Sequence, residues 1–268
     1  MRLALAQIRV EPGLPEANLA RADRAIGAAA RAGAEIVLLP ETLDCGWTHP
    51  SARALAGGVP DGEACVRLRE SARRHRIWVC AGLVERNGAR LHNAAILVSA
   101  EGTVVHHHRK IHELDFAREL YDVGDRVETV ETPWGRGGVV ICADAFAEGL
   151  VHTRELGRRG ARWILSPCAW AVPPERNLVS EPYGGLWKES YGPVCRGFGM
   201  SIAGCSNVGP VVAGAWTGWR CIGASMVVGP QGEVLAVAPA GDDAEDLLIV
   251  QLLVPESQGD VEDRRNQR

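Results

Sequence analysis

The sequence predicts an α/β fold, and three observations support this prediction. Short apolar runs of strand length alternate along the chain with longer segments whose apolar residues recur at helical spacing. Glycine accounts for 31 of the 268 residues, which is well above its usual share and favours many tight turns over a helical bundle. Apolar residues make up 46% of the chain and charged residues 23%, so a hydrophobic core can form. We therefore expect at least two sheets' worth of strands within one domain.

The first half of the chain alternates predicted strands with amphipathic helices. The apolar run 36–39 is typical of a strand buried on both faces, and it stops at Pro40. The Ala-rich segment 14–32 has apolar residues every three or four positions and stops at Gly33, which predicts a helix with a glycine stop. The same patterns predict a further helix over 62–75 and strands over 2–10, 77–84, 94–98 and 104–108.

The second half continues the alternation and ends in a polar tail. Strands are predicted over 139–141, 163–166, 201–207, 224–228, 234–238 and 247–253, and a helix over 149–159. We expect loops over 170–191 and over the Gly-rich stretch 209–223, which lacks the context of a phosphate-binding turn. The sequence therefore predicts one domain over 1–254 and a tail over 255–268 that is mobile or docks on a partner subunit.

Composition and charge narrow the range of partners. A formal net charge of −4 does not favour the binding of polyanions, so nucleic acid is not an expected partner. No apolar run reaches the roughly 18 to 20 residues of a membrane helix, and Arg9 interrupts the first apolar stretch, so we expect a cytoplasmic protein without membrane contact. The eight cysteines are expected to be reduced thiols. No cluster predicts a metal, because the side chains of 106–108 alternate between the two faces of a strand.

Three residues carry chemistry that fits together. Glu41, Lys110 and Cys142 each follow a predicted strand, which is the usual place for an active site in an α/β fold. A thiol can attack a carbonyl carbon, a carboxylate can take the thiol proton, and an ammonium can stabilise the oxyanion that develops. The three groups together therefore indicate acyl transfer to cysteine.

These contexts resemble the nitrilase (carbon-nitrogen hydrolase) superfamily. Pro-Glu at 40–41, Arg-Lys-Ile-His at 109–112 and Ile-Cys-Ala-Asp at 141–144 are similar to that family's Glu, Lys and Cys motifs, in order and at comparable separation. The separations are 69 positions from 41 to 110 and 32 positions from 110 to 142. The resemblance extends over about residues 1–254 and implies a four-layer αββα sandwich.

The resemblance also implies a role for each site residue. Cys142 is the expected nucleophile, Glu41 the general base, and Lys110 the oxyanion stabiliser, aided by the backbone N–H of Ala143. A second glutamate of the family lies after the lysine and shortly before an aromatic residue and a glycine, and Glu119 in Glu-Leu-Tyr-Asp-Val-Gly fits that description. Glu113 fits less well because it is closer to the lysine. No cofactor is implied, and relatives are commonly homodimers or higher homo-oligomers.

Departures from the family pattern bear on the small-molecule substrate. Nitrile-cleaving members usually have Trp-Glu after the cysteine, whereas this chain has Ala143 and Asp144, so an amide or N-carbamoyl (ureido) substrate is favoured. Cys168 and Trp170 follow a predicted strand where the family often lines its pocket. The alternatives are a nitrile hydrolase, an acyl-transferring member, and a non-catalytic scaffold used for binding.

Overall fold

The computed structural model describes residues 1–252 and 254, and it has two six-stranded sheets packed face to face between helices. The described strands are β1 (Arg2–Gln7), β2 (Ile36–Leu38), β3 (Trp78–Asn87), β4 (Arg90–Val98), β5 (Val104–Arg109), β6 (Thr129–Thr132), β7 (Gly135–Val139), β8 (Trp163–Cys168), β9 (Ala171–Val172), β10 (Ser201–Ser206), β11 (Val208–Pro210), β12 (Arg220–Ile222), β13 (Met226–Val228), β14 (Val234–Val237) and β15 (Asp246–Gln251). The α-helices are α1 (Pro15–Arg31), α2 (Ala52–Leu55), α3 (Glu63–His75), α4 (Val151–Arg158) and α5 (Gly185–Phe198). Short 3-10 turns cover Asp115–Glu119, Cys142–Phe146 and Glu148–Leu150.

The first sheet has the strand order β15-β1-β2-β3-β4-β5. Strands β1, β2 and β3 are parallel, and the β3-β4-β5 end is an antiparallel meander. The second sheet has the order β14-β13-β10-β8-β7-β6, with β7, β8 and β10 parallel. A small third sheet joins β11, β12 and β9.

Alternating side chains divide the core into layers. In β2, Ile36 and Leu38 point into the core between the two large sheets, where they meet residues such as Leu165 of the second sheet. Val37 points the other way, into the core under α1 and α3. Helices α4 and α5 cover the outer face of the second sheet. This is the four-layer αββα sandwich that the resemblance implies.

Most predicted elements form within a few residues of their expected bounds, but the predictions of loops over 170–191 and 209–223 are wrong in part. Strand β9 and the start of α5 lie in the first segment, and β12 lies in the second. Helix α5 begins at Gly185 and buries Trp187, Tyr191, Val194 and Cys195 against the second sheet. Their spacing of three or four residues is a helical signal. Several glycines and Pro193 obscure it in the sequence.

Two further sequence expectations concern the membrane and the tail. None of the helices in the described residues is both long enough and apolar enough to cross a bilayer. The tail predicted over 255–268 lies outside the described residues.

Candidate active site

Glu41 lies at the carboxyl end of β2, one residue past Pro40, and only 1% of it is exposed. Its backbone N–H donates to the carbonyl of Cys168, 3.1 Å away, which ties the end of β2 to the end of β8 in the other sheet. Gly82 of β3 makes room for it, because a Cβ there would lie 2.5 Å from the Glu41 Cα. The glutamate is therefore fixed between the two sheets.

Lys110 follows β5 and brings its ammonium to the same point. Its backbone N–H donates to the carbonyl of Asn93 at 2.8 Å, which continues the β4-β5 ladder by one residue. Lys110 Nζ donates to Glu41 Oε1 at 2.7 Å and lies 3.5 Å from Glu113 Oε2. Burial alone would lower the pKa of Lys110, but the charges of Glu113 and Glu41 outweigh it and raise the pKa well above its usual value. The lysine is therefore held as a cation.

Among the described residues, only one oxygen of the Glu41 carboxylate accepts hydrogen bonds from other side chains. Oε1 accepts hydrogen bonds from Lys110 Nζ and from Asn93 Nδ2, the latter at 2.6 Å. Oε2 is buried and has no hydrogen-bond partner among the described residues. Because an unsatisfied buried carboxylate oxygen is costly, it is a ready acceptor for a proton brought to it.

Cys142 begins the 3-10 turn that follows β7, in a left-handed backbone conformation with φ of 42°. Its backbone N–H donates to Ser166 Oγ at 3.2 Å. Cys142 is partly exposed, whereas the other seven cysteines are buried. A hydrogen bond with the Cys168 thiol, together with burial and the Glu41 charge, raises the pKa of Cys142 well above its usual value. The resting group is thus a thiol, and it needs a base before it can attack.

Asp144 joins the cysteine turn to the lysine loop. It is fully buried, and its carboxylate accepts hydrogen bonds from the backbone N–H groups of Ile111, His112 and Ile141 at 2.7 to 3.0 Å. His108 Nε2 lies 2.9 Å from the same carboxylate. Burial would raise the pKa of Asp144, but His108 and the backbone donors outweigh it and lower the pKa to about 2. Asp144 therefore holds the cysteine turn against the lysine loop.

The structure places Glu113, and not Glu119, beside Lys110. The Glu119 side chain is exposed, and its carbonyl accepts a hydrogen bond from Arg53 at the surface. Glu113 is 2% exposed and lies beside Lys110. Sequence reasoning set Glu113 aside as too close to the lysine, but the chain turns after β5 and folds the Glu113 side chain back onto Lys110, three residues earlier. Burial raises the pKa of Glu113 to about 7, although the Lys110 charge opposes this.

A cavity of about 200 Å³ opens beside the cysteine. Its wall contains Cys142, Ala143 and the predicted pocket residue Trp170. The remaining lining residues are mostly apolar or aromatic and are Trp47, Lys110, Leu114, Phe146, Ala169, Ala171, Tyr183, Leu186, Trp187 and Trp216. Cys168 is fully buried and lies behind Cys142, not in the cavity wall.

Several residues of the site were not predicted from the sequence. Asn93 could have been found, because the register of the β4-β5 hairpin pairs Ala94 with Arg109 and so places Asn93 next to Lys110. Trp47, Tyr183 and Trp187 lie in long connections and at the start of α5, and nothing in their local pattern brings them together.

The histidines of β5 do not form a metal cluster. His107 Nε2 lies 2.9 Å from Glu85 Oε2, whereas the neighbouring His108 faces Asp144. The two side chains thus point to opposite faces, as the alternation predicts. In residues 1–252 and 254, no three His, Cys, Asp or Glu side chains are grouped as metal ligands.

Comparison with known proteins gives consistent matches. The model of the carbon-nitrogen hydrolase family matches residues 2–258. A nitrilase from Pyrococcus abyssi is 29% identical over 87% of this chain and 84% of its own length, and an omega-amidase from Xenopus tropicalis is 30% identical over 88% and 84%. Among solved structures, a variant of an amidase from Nesterenkonia sp. AN1 with acrylamide added at its active-site cysteine has a TM-score of 0.80 at 23% identity and covers 99% of both chains.

Proposed function

The chain belongs to the carbon-nitrogen hydrolase family, and we propose that it cleaves the C–N bond of a small linear amide through a thioester on Cys142. The observation that carries this proposal is a partly exposed thiol, Cys142, and an ammonium, Lys110, in the wall of one cavity. The buried carboxyl groups of Glu41 and Glu113 hold that ammonium. The relatives named omega-amidases support an amide substrate.

In the first half-reaction, the free oxygen of Glu41 accepts the thiol proton while the sulfur of Cys142 attacks the amide carbon. The carbonyl oxygen takes the negative charge that develops. Lys110 Nζ and the backbone N–H of Ala143 stabilise this oxyanion. The tetrahedral intermediate then collapses, the C–N bond breaks, and the nitrogen leaves as ammonia or an amine with the proton that Glu41 held.

In the second half-reaction, water replaces the departed nitrogen. Glu41 accepts a proton from this water, whose oxygen attacks the thioester carbon. The second intermediate uses the same two oxyanion donors. Its collapse breaks the C–S bond, releases the carboxylic acid, and returns the proton from Glu41 to Cys142.

Glu113 acts through Lys110 and does not touch the substrate in this scheme. Its carboxyl lies 3.5 Å from Lys110 Nζ, on which Glu41 makes the shorter contact of 2.7 Å. Two carboxyl groups on one ammonium fix both its charge and its position. We therefore propose Glu113, and not Glu119, as the positioning glutamate.

The experiment is a measurement of ammonia release over a panel of amides, ureido acids and nitriles, with Cys142→Ala as the comparison. The proposal expects release from amides by the wild-type protein and none by Cys142→Ala. Faster release from nitriles would favour a nitrile hydrolase. Equal or absent release by both proteins across the panel would favour the binding scaffold and contradict the proposal.

The cellular setting follows from the thiols. All eight cysteines are free, which supports a reducing compartment such as the cytoplasm. We propose the cytoplasm as the location, and the homo-oligomer stays a prediction that size-exclusion chromatography with light scattering can check.

A further inference from the structure

The wall of the substrate cavity contains few charged groups. Of its thirteen lining residues, only Lys110 carries a charge at neutral pH, because the resting Cys142 is a neutral thiol. The ammonium of Lys110 is already shared by two carboxyl groups, on Glu41 and Glu113. No cation in the cavity wall is therefore left to pair with an anionic substrate.

The aromatic part of the wall is tied together by its own contacts. Trp170 and Trp187 stack with ring centroids 4.4 Å apart and planes 19° apart. The indole N–H of Trp187 donates to the hydroxyl of Tyr183 at 3.0 Å, so this polar pair satisfies itself. On the other side, Trp47 and Trp216 meet edge to face at 4.9 Å. Such a wall offers flat apolar surface, and the indole N–H groups of Trp47 and Trp170, which have no hydrogen-bond partner among the described residues, are uncharged donors.

Cations near the cavity do not change this balance. The Arg176 guanidinium lies 5.8 Å from the centre of the Tyr183 ring, but Arg176 is not part of the wall and donates to the carbonyl of Glu181. Lys188 follows Trp187 on α5 and is exposed. A carboxylate placed in the cavity would lose its water without gaining a charged partner, which is strongly unfavourable.

We infer that the acyl group of the substrate is uncharged, apolar and small, because the cavity has a volume of about 200 Å³. The inference rests on the proposed amide hydrolysis and deepens it. It also separates two substrate classes that the sequence leaves open, because an N-carbamoyl amino acid carries a carboxylate and a simple apolar amide does not.

The test uses two amides of nearly the same shape, 4-methylpentanamide and succinamate, in which an isopropyl group replaces a carboxylate. Binding to Cys142→Ala is measured by calorimetry, and ammonia release by the wild-type protein is measured in parallel. We expect kcat/KM and affinity to favour 4-methylpentanamide by at least roughly 100-fold. Equal or better binding and turnover of succinamate, or binding of neither amide, would overturn the inference.

The two readouts separate this inference from the proposed function. Preferential binding of the apolar amide without any ammonia release would leave the inference standing and contradict amide hydrolysis. Ammonia release that favours succinamate would leave amide hydrolysis standing and overturn the inference.

A substitution in the wall provides a second test. Leu186 lines the cavity and is 47% exposed, so Leu186→Lys can add a cation there without disturbing the core. We expect this variant to reduce the preference for 4-methylpentanamide by at least about 10-fold. Val179→Lys is the matched control, because Val179 is 91% exposed and is not in the wall. An unchanged preference in Leu186→Lys, or an equal change in both variants, would contradict the inference.

Discussion

The two large sheets contribute different things to the same cavity. The first sheet delivers Glu41 and Lys110, which are almost fully buried and joined by a hydrogen bond of 2.7 Å. The second sheet delivers Cys142 and, just past β8, the aromatic residue Trp170. Charge and proton transfer therefore belong to one side, and the nucleophile and most of the apolar wall belong to the other. This difference teaches that substitutions on the first side should change the rate, whereas those in the wall should change the choice of substrate.

The largest effect is expected where the two sides are joined. Asp144→Ala removes a fully buried carboxylate that holds the cysteine turn to the lysine loop, and it leaves His108 and three backbone donors without their partner. Leaving buried hydrogen-bond donors without a partner costs about 1 to 3 kcal/mol for each donor. We expect the free energy of unfolding, measured by urea denaturation, to fall by at least that amount, and amide hydrolysis to be lost.

A control for Asp144→Ala is Asp243→Ala, which removes an exposed carboxylate paired with Arg9. Surface pairs of this kind contribute at most about 1 kcal/mol. An equally small loss of unfolding free energy in Asp144→Ala would mean that Asp144 does not hold the cysteine turn to the lysine loop.

The next largest effect is expected from a substitution at the end of the first sheet. Lys110→Ala removes the proposed oxyanion donor, and a donor of this kind is worth about 3 kcal/mol of activation barrier, so kcat should fall by roughly 100-fold or more. The exposed Lys188→Ala serves as the comparison and should retain its activity. Near-normal turnover by Lys110→Ala, measured as ammonia release, would contradict the assignment.

A smaller effect distinguishes the two candidate glutamates. Glu113→Gln removes one of the two carboxyl groups at Lys110, and we expect kcat to fall by about 10- to 100-fold with a smaller change in KM. Glu119→Gln changes an exposed side chain and should leave kcat within about twofold. The reverse order in steady-state assays would restore Glu119 as the positioning residue.

Glu113 should also leave a signature in the pH dependence of stability. Burial raises its pKa from the usual 4.5 to about 7, so the folded chain retains a proton that the unfolded chain releases between these values. The contribution of Glu113 to stability is thus present below pH 4.5 and is lost as the pH rises through 7. We expect Glu113→Gln to reduce this loss by about 1 to 3 kcal/mol in urea titrations from pH 4.5 to 8. An identical pH profile for both proteins would contradict the burial of an ionisable group at this position.

The smallest perturbation is a chemical label that leaves the fold intact. Iodoacetamide should react with Cys142 first, because the other seven cysteines are buried. Since the pKa of Cys142 is raised, its labelling rate should keep increasing with pH above 9. Peptide mass spectrometry gives the rate at each cysteine. Uniform labelling, or a rate that levels off below pH 8, would contradict this description of the resting thiol.

A feature of the fold or site could be predicted from the sequence when the residues that determine it are neighbours in the chain. The buried strands before Glu41 and Cys142 could be predicted because three or four apolar residues in a row, next to glycine or proline, leave few other structures. The position of Glu113 beside Lys110 could not be predicted, because spacing along the chain does not reveal how a loop turns back. Trp170 was predicted to line the pocket, but the rest of the aromatic wall could not be predicted, since Trp47, Trp187 and Trp216 are separated in sequence and meet only through tertiary packing.

The most direct test of the account is the detection of an acyl group on Cys142 during turnover. Wild-type protein mixed with 4-methylpentanamide and quenched in acid within milliseconds to seconds should give a Cys142 peptide heavier by one acyl group. The amount of this adduct should differ in Glu41→Gln, because the substitution slows the two half-reactions unequally. The adduct should be absent from Cys142→Ala. Continued ammonia release without any adduct, or an adduct on another cysteine, would contradict the central claim that Cys142 carries the thioester.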